Sequence, residues 1–145
     1  MRVLALKPDL LVVWQSGNPT RQLEQLSRLG IPLYYSEPSR LEQVGDSLLR
    51  LGRLLGTEPA ARQAAHDYGA RIAALRTRYA GRPQVGVFYQ VWDRPLYTLN
   101  DDHVASDILR LCGGRNLFGA LQTIAPEVGP EAGIEADPEV ILVGE

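Results

Sequence analysis

The chain has 145 residues, 15 Lys+Arg against 17 Asp+Glu, a formal net charge of −2 at pH 7 and 45% hydrophobic residues; its mean hydropathy is −0.13. This is the composition of one ordinary globular domain, or of two small lobes, and it excludes a disordered chain. Near-neutral charge leaves no electrostatic footprint for nucleic acid, and the longest apolar run, Leu10–Trp14, is far below the roughly 20 residues that cross a bilayer.

Met1–Lys7 is too short an apolar stretch for a signal peptide. Leu10–Trp14 reads as a strand covered on both faces. Asn18 and Pro19 read as N-cap and first residue of a helix with Leu23 and Leu26 on one face, stopped at Gly30. Ile31–Tyr35 is the next strand, with Pro32 restricted to its start or to an edge. Ser39 and Glu42 have capping-box spacing and open a helix with Leu41, Val44, Leu48, Leu51 and Leu55 inward, ending at Gly56. Residues 8–56 therefore read β-α-β-α, the pattern of a parallel sheet with crossover helices.

A long helix follows. Thr57 caps it, Pro59 lies in its first turn, and Ala61, Ala65, Tyr68, Ile72, Leu75 and Tyr79 form a stripe at spacings of three and four before Gly81. From Glu58 to Ala80 it spans about 34 Å. On pattern alone this is either a long crossover helix covering a sheet or a stiff strut joining two α/β lobes. Beyond it, Val85–Val91 reads as a strand, Trp92–Pro95 as a turn and Leu96–Leu99 as a short extended piece. Asp102 is expected to cap a helix with Val104, Ile108, Leu109 and Leu111 inward, ended by Cys112-Gly113-Gly114. A Pro/Gly-rich loop, Pro126–Pro130, leads to a short helix from about Glu131 and a last strand, Val140–Val143.

Enzyme signatures are absent: there is no GxGxxG, P-loop or GxSxG. The single cysteine, Cys112, has no partner in the sequence, and no Cys/His cluster suits structural zinc. His66 lies among the charges of the long helix, and His103 follows a helix cap, where a histidine is usually structural. Asp101-Asp102-His103 is a conceivable metal triplet, but consecutive residues at a helix start more often serve capping and the helix dipole.

The aromatics are more informative. Trp14 closes the first strand, Tyr34 and Tyr35 the second, and Tyr89 and Trp92 the strand after the long helix, with Tyr97 in the next extended piece. Open α/β sheets bind ligands outside the carboxyl ends of their strands. Phe88, between Val87 and Tyr89, reads as core. Trp14 and Trp92, beside turn residues, read as ligand-facing. Aromatic walls with few charges suit a large, flat, largely uncharged ligand, with hydrogen bonds from Asn18, Gln90, Asn100 or the backbone.

At these residues the sequence resembles the periplasmic cobalamin-binding proteins of ABC importers, within the rigid-helix class that also serves siderophores and haem. The resemblance rests on Leu4-Ala5-Leu6-Lys7-Pro8-Asp9-Leu10 leading to Trp14, on Gly17-Asn18 with Arg21-Gln22, and on Leu29-Gly30-Ile31. It continues through Val87-Phe88-Tyr89-Gln90-Val91-Trp92, Pro95-Leu96-Tyr97-Thr98, Leu111 to Phe118 and Ala136-Asp137-Pro138-Glu139-Val140-Ile141.

The resemblance implies an α/β fold of two small Rossmann-like lobes, residues 1–56 and 82–145, joined by a long helix over 57–81. It implies a cobalamin ligand between the lobes, carrying its own cobalt, with no cofactor, catalytic residue or protein-bound metal. Trp14 and Tyr35 are the implied contacts from one lobe, Trp92, Tyr97 and Tyr89 from the other. Glu131 matches an acidic residue that docks on the ABC permease subunits; the matching position of the first lobe is Thr20, with Glu24 one turn later. Ala125 stands where some relatives have a tryptophan, and the disulfide partner that relatives offer to the cysteine at Cys112 is lacking. Members are periplasmic, begin with a signal peptide and a further strand-helix-strand, and continue past the last strand here, so the chain is expected to be truncated at both ends. Binding of nucleic acid and direct membrane insertion are not expected. The alternatives are a siderophore or haem binder of the same class, a small α/β enzyme, and a cytosolic remnant without a transport role.

Overall fold

A computed structural model describes residues 2–14 and 17–144, so Gln15 and Ser16 lie outside the described residues. The chain divides into two units, Met1–Pro38 and Ser39–Glu145. In the first, a short helix α1 (Arg2–Ala5) precedes β1 (Leu11–Val13), α2 (Thr20–Arg28) and β2 (Leu33–Tyr35). The strands pair in parallel, Leu11 with Leu33, Val12 with Tyr34 and Val13 with Tyr35. Pro32 stands just before β2, and its carbonyl accepts the Leu11 N–H at 3.0 Å, the edge-compatible place expected of a proline. Among the described residues of this unit, Val13 and Leu23 are the buried apolar ones.

Two local features differ from the sequence reading. Helix α1 has no counterpart in the sequence reading. Asn18 is not the cap of α2: Pro19 is, in an extended conformation, and the Asn18 amide donates to the Trp14 carbonyl at 2.7 Å.

The second unit opens with α3 (Leu41–Leu54) and α4 (Glu58–Tyr79). Their junction is a Schellman turn: Gly56 sits at φ 68°, its N–H reaches the Arg53 carbonyl at 3.4 Å, and the Thr57 N–H reaches Gly52 at 2.8 Å. The helices then pack closely at Gly52, where a Cβ would lie 2.2 Å from that of Ala61. Helix α4 has 22 residues, or about 33 Å. All six residues of its anticipated stripe are half-buried, and its other side chains are exposed.

The start of α3 departs from the capping box. Arg40 is the N-cap, and Gln43 rather than Glu42 reaches back, accepting the Ser39 N–H at 2.8 Å. The Leu41 N–H is accepted by Asp107 Oδ2 at 3.0 Å, and Glu42, whose capping-box place Gln43 takes, pairs with Arg76. Leu55, expected inward, lies past the helix end and is exposed.

After α4 come β3 (Val85–Gln90), a hairpin of β4 (Trp92–Asp93) and β5 (Leu96–Tyr97), α5 (Val104–Leu111), β6 (Gly114–Asn116), α6 (Pro130–Glu135) and β7 (Val140–Val143). The sheet order is β6-β3-β7, with both pairings parallel. Its core holds Val87, Phe88, Leu109 and Phe118, with the Phe88 and Phe118 ring centroids 5.1 Å apart. Phe88 is core, as expected. Strand β6 was not anticipated, because Gly-Arg-Asn carries no strand propensity and is extended by its pairing to β3. The anticipated four-residue turn is narrower: Trp92 and Asp93 belong to a strand, and Arg94-Pro95 makes the connection. Asp102 does not cap α5; His103 does, accepting the Ala105 N–H on its ring at 3.2 Å. Ile108 is exposed, and the buried face of α5 instead carries Ser106 and Leu109.

Candidate functional site

In the first unit the candidate residues stand at the carboxyl ends of β1 and β2. Trp14 follows β1 directly. Its indole lies over Gly17, where an added Cβ would fall 1.8 Å from Nε1, so only glycine admits this ring position. Tyr35 ends β2. Trp14 is 54% exposed and Tyr35 52%, so neither ring is core. Thr20 begins α2, and Glu24 pairs with Arg28 across one turn at 3.8 Å.

In the second unit the connection from β3 through α5 reaches β6 on one side, and the later connection through α6 returns to β7 on the other. This reversal at β3 is a topological switch point, where α/β sheets take ligands. Tyr89 and Gln90 end β3. Tyr89 is half-buried and lies opposite Leu142 of β7. Trp92 and Tyr97 are direct partners across the β4–β5 hairpin, so their side chains share one face at close range. The Trp92 indole N–H donates to the Arg94 carbonyl at 3.2 Å, and the ring is 62% exposed. Gln90, Val91, Trp92, Asp93, Val143 and Gly144 line a hollow of about 380 Å³ at these strand ends.

The segment after Tyr97 is held from several sides. Thr98 N–H donates to Pro126 and Asn100 N–H to Ile124, while Tyr97 forms a bridge with Glu127. Asn100 is 2% exposed, and its amide donates to Leu121 at 2.9 Å while its oxygen accepts the Asp102 N–H. The expectation that it hydrogen-bonds a ligand is therefore overturned. Ser106 and Asn116, which the sequence reading missed, complete this network. Ser106 carried a signal, since it shares the apolar face of α5 with Leu109, three residues on.

Glu131 is exposed in the first turn of α6, and its carboxylate folds over Gly129. From residue 116 to the end the sequence has no Lys or Arg, so this end of the chain is purely acidic. Among the described residues no group of three or more His, Cys, Asp or Glu side chains is arranged to hold a metal. Asp101 and Asp102 pair with Arg110 and Arg40. Cys112 is exposed.

The profile of the periplasmic binding protein family matches residues 2–145. The chain belongs to this family. A vitamin B12-binding protein of Yersinia pestis (strain Pestoides F) is 38% identical over 142 residues, covering 98% of this chain and 51% of that one. The crystal structure of the periplasmic vitamin B12 binding protein BtuF of Vibrio cholerae superposes with a TM-score of 0.88 at 35% identity, over 99% of this chain and 56% of that chain. A periplasmic heme binding protein of Pseudomonas aeruginosa matches with a TM-score of 0.84 at 27% identity, over 97% of this chain and 52% of that chain. The chain spans about half the length of the curated relatives it matches. The α/β fold is that of the family. Among the described residues no helix is long and apolar enough to cross a membrane.

Proposed function

We propose that the chain is the substrate-binding component of an ABC importer, working in the periplasm, that captures cobalamin and delivers it to the permease. In this reading residues 1–56 and 82–145 act as two lobes joined by the helix over 57–81. Trp14 and Tyr35 meet the corrinoid from one lobe, and Trp92, Tyr97 and Tyr89 from the other. The observation that carries the reading is the exposure of Trp14 and Tyr35 at the carboxyl ends of β1 and β2, and of Trp92 in the hairpin that follows β3, in a sequence matching vitamin B12-binding proteins over almost its whole length.

Large rings left in water at a strand end are unfavourable until something covers them, and each contributes about 1.5–3 kcal/mol on burial. A corrin is broad enough to cover several, which offsets the loss of translational and rotational freedom. The amide of Gln90, beside Trp92 at the end of β3, supplies a donor and an acceptor to the ligand's side-chain amides. Cobalt arrives with the ligand, so the protein needs no metal site of its own. Glu131, exposed on a wholly acidic stretch, docks on a basic permease surface.

Equilibrium dialysis of the chain against cyanocobalamin and, in parallel, haem tests this reading. Retention of cyanocobalamin and not haem is expected. Preferential retention of haem assigns the chain to the haem branch instead.

A further inference from the structure

We infer that Asn116 is a positioning residue for Tyr97, acting through a buried hydrogen-bond network that holds the Leu96–Asn100 segment in its ligand-presenting form. The inference rests on the reading above that Tyr97 contacts a corrinoid. Asn116 is the last residue of β6, and its amide donates to the Leu99 carbonyl at 2.7 Å and to Ser106 Oγ at 2.8 Å. Ser106 Oγ donates in turn to the Asn100 carbonyl at 2.8 Å. Two consecutive carbonyls, two and three residues beyond Tyr97, are thereby tied to β6 and α5. The Asn116 side-chain oxygen accepts the Phe118 N–H at 3.0 Å, which fixes the orientation of its amide.

The exposure pattern explains why such a clamp is needed. Val91–Pro95 are exposed, whereas Thr98, Leu99 and Asn100 are buried, so Tyr97 stands at the border between a solvated hairpin and an anchored segment. Thr98 is fully buried, and its hydroxyl has no hydrogen-bond partner among the described residues. A buried hydroxyl without a partner is unfavourable. The hydrogen bonds of Asn116 and Ser106 hold the buried part of this segment from β6 and α5. A contact residue gains affinity when its surroundings fix it before the ligand arrives.

The test is a double-mutant cycle in the full chain, read by titration with cyanocobalamin and by amide hydrogen exchange. Asn116→Ala is expected to weaken cyanocobalamin binding about tenfold in the parent, through the loss of its hydrogen bonds. In a Tyr97→Ala background the same change should cost less than about twofold. Exchange should accelerate at Thr98 and Asn100 while Val87 and Phe88 stay protected. Ser106→Ala, which leaves Asn116 in place, should act in the same direction and serves if Asn116→Ala does not fold. Equal losses with and without Tyr97, or uniform acceleration of exchange, mean a merely structural role and overturn the inference. An unaltered chain that takes up no cyanocobalamin overturns the proposed function. A chain that binds, that depends on Tyr97 and that ignores Asn116 overturns this inference alone.

Discussion

Asp107, on α5, accepts the backbone N–H of Leu41 at 3.0 Å and so caps a helix that lies 66 residues earlier in the chain. The same carboxylate accepts hydrogen bonds from Arg110 and, at 3.3 Å, from Arg40. One small side chain therefore satisfies an orphan donor of α3 and orients two guanidiniums. Asp107→Ala leaves those groups without their acceptor and should lower unfolding free energy by about 2 kcal/mol. Urea denaturation followed by circular dichroism measures it, and a loss under about 0.5 kcal/mol would show that water replaces the carboxylate.

The same carboxylate makes stability depend on acid. Burial pushes the Asp107 carboxyl up, but the hydrogen bonds from Arg110, the Leu41 N–H and Arg40 outweigh burial and hold it below the usual carboxylate range. Glu42 is also held low, chiefly by its hydrogen bond from Arg76, but that pair is exposed and screened and contributes little. A depressed folded-state pKa stabilises the protein above the unfolded value and loses that contribution as pH falls through the folded value. Stability should therefore decline as pH drops below about 4, the ordinary aspartate range. Asp107→Asn should flatten this decline, as read from urea midpoints at a series of pH values.

Glycines in the two long helices should respond in opposite directions. At Gly52 an added methyl would fall 2.2 Å from the Ala61 Cβ, forcing α3 and α4 apart. Gly52→Ala should destabilise by about 1–3 kcal/mol despite its better helix propensity. At Gly69, inside α4, an added Cβ meets nothing within 4 Å. Gly69→Ala should stabilise by about 1 kcal/mol. Thermal melts of the two variants give the comparison, and a shared sign would contradict the packing described.

The Trp92 indole donates within the hairpin, to the Arg94 carbonyl, and is 62% exposed. Trp92→Ala should therefore leave the thermal midpoint nearly unchanged while weakening cyanocobalamin binding more than tenfold. An unchanged affinity would remove Trp92 from the site.

What the sequence made legible follows from the range of the interaction. The stripe Ala61 to Tyr79 was readable because a 3.6-residue period is local, and these residues are the covered ones of α4. The exposure of Trp14 and Trp92 was readable because both stand beside turn residues, whereas Tyr35 stood out only through the family resemblance. The cap of α3 was not, since its acceptor comes from α5. Strand β6 was not, since Gly114-Arg115-Asn116 is extended only by its pairing with Val85–Val87. The Trp92–Tyr97 pairing was hidden inside what read as a plain turn. Asn100 read as one of several groups able to hydrogen-bond a ligand, but it is buried, in a segment held by Ser106 and Asn116.

Calorimetric titration of the 145-residue chain with cyanocobalamin decides whether the aromatic residues at the strand ends and in the β4–β5 hairpin hold a corrinoid, as proposed. Saturable one-to-one binding that Trp92→Ala weakens is the expected result. A folded chain that releases no heat and retains no cyanocobalamin would contradict it.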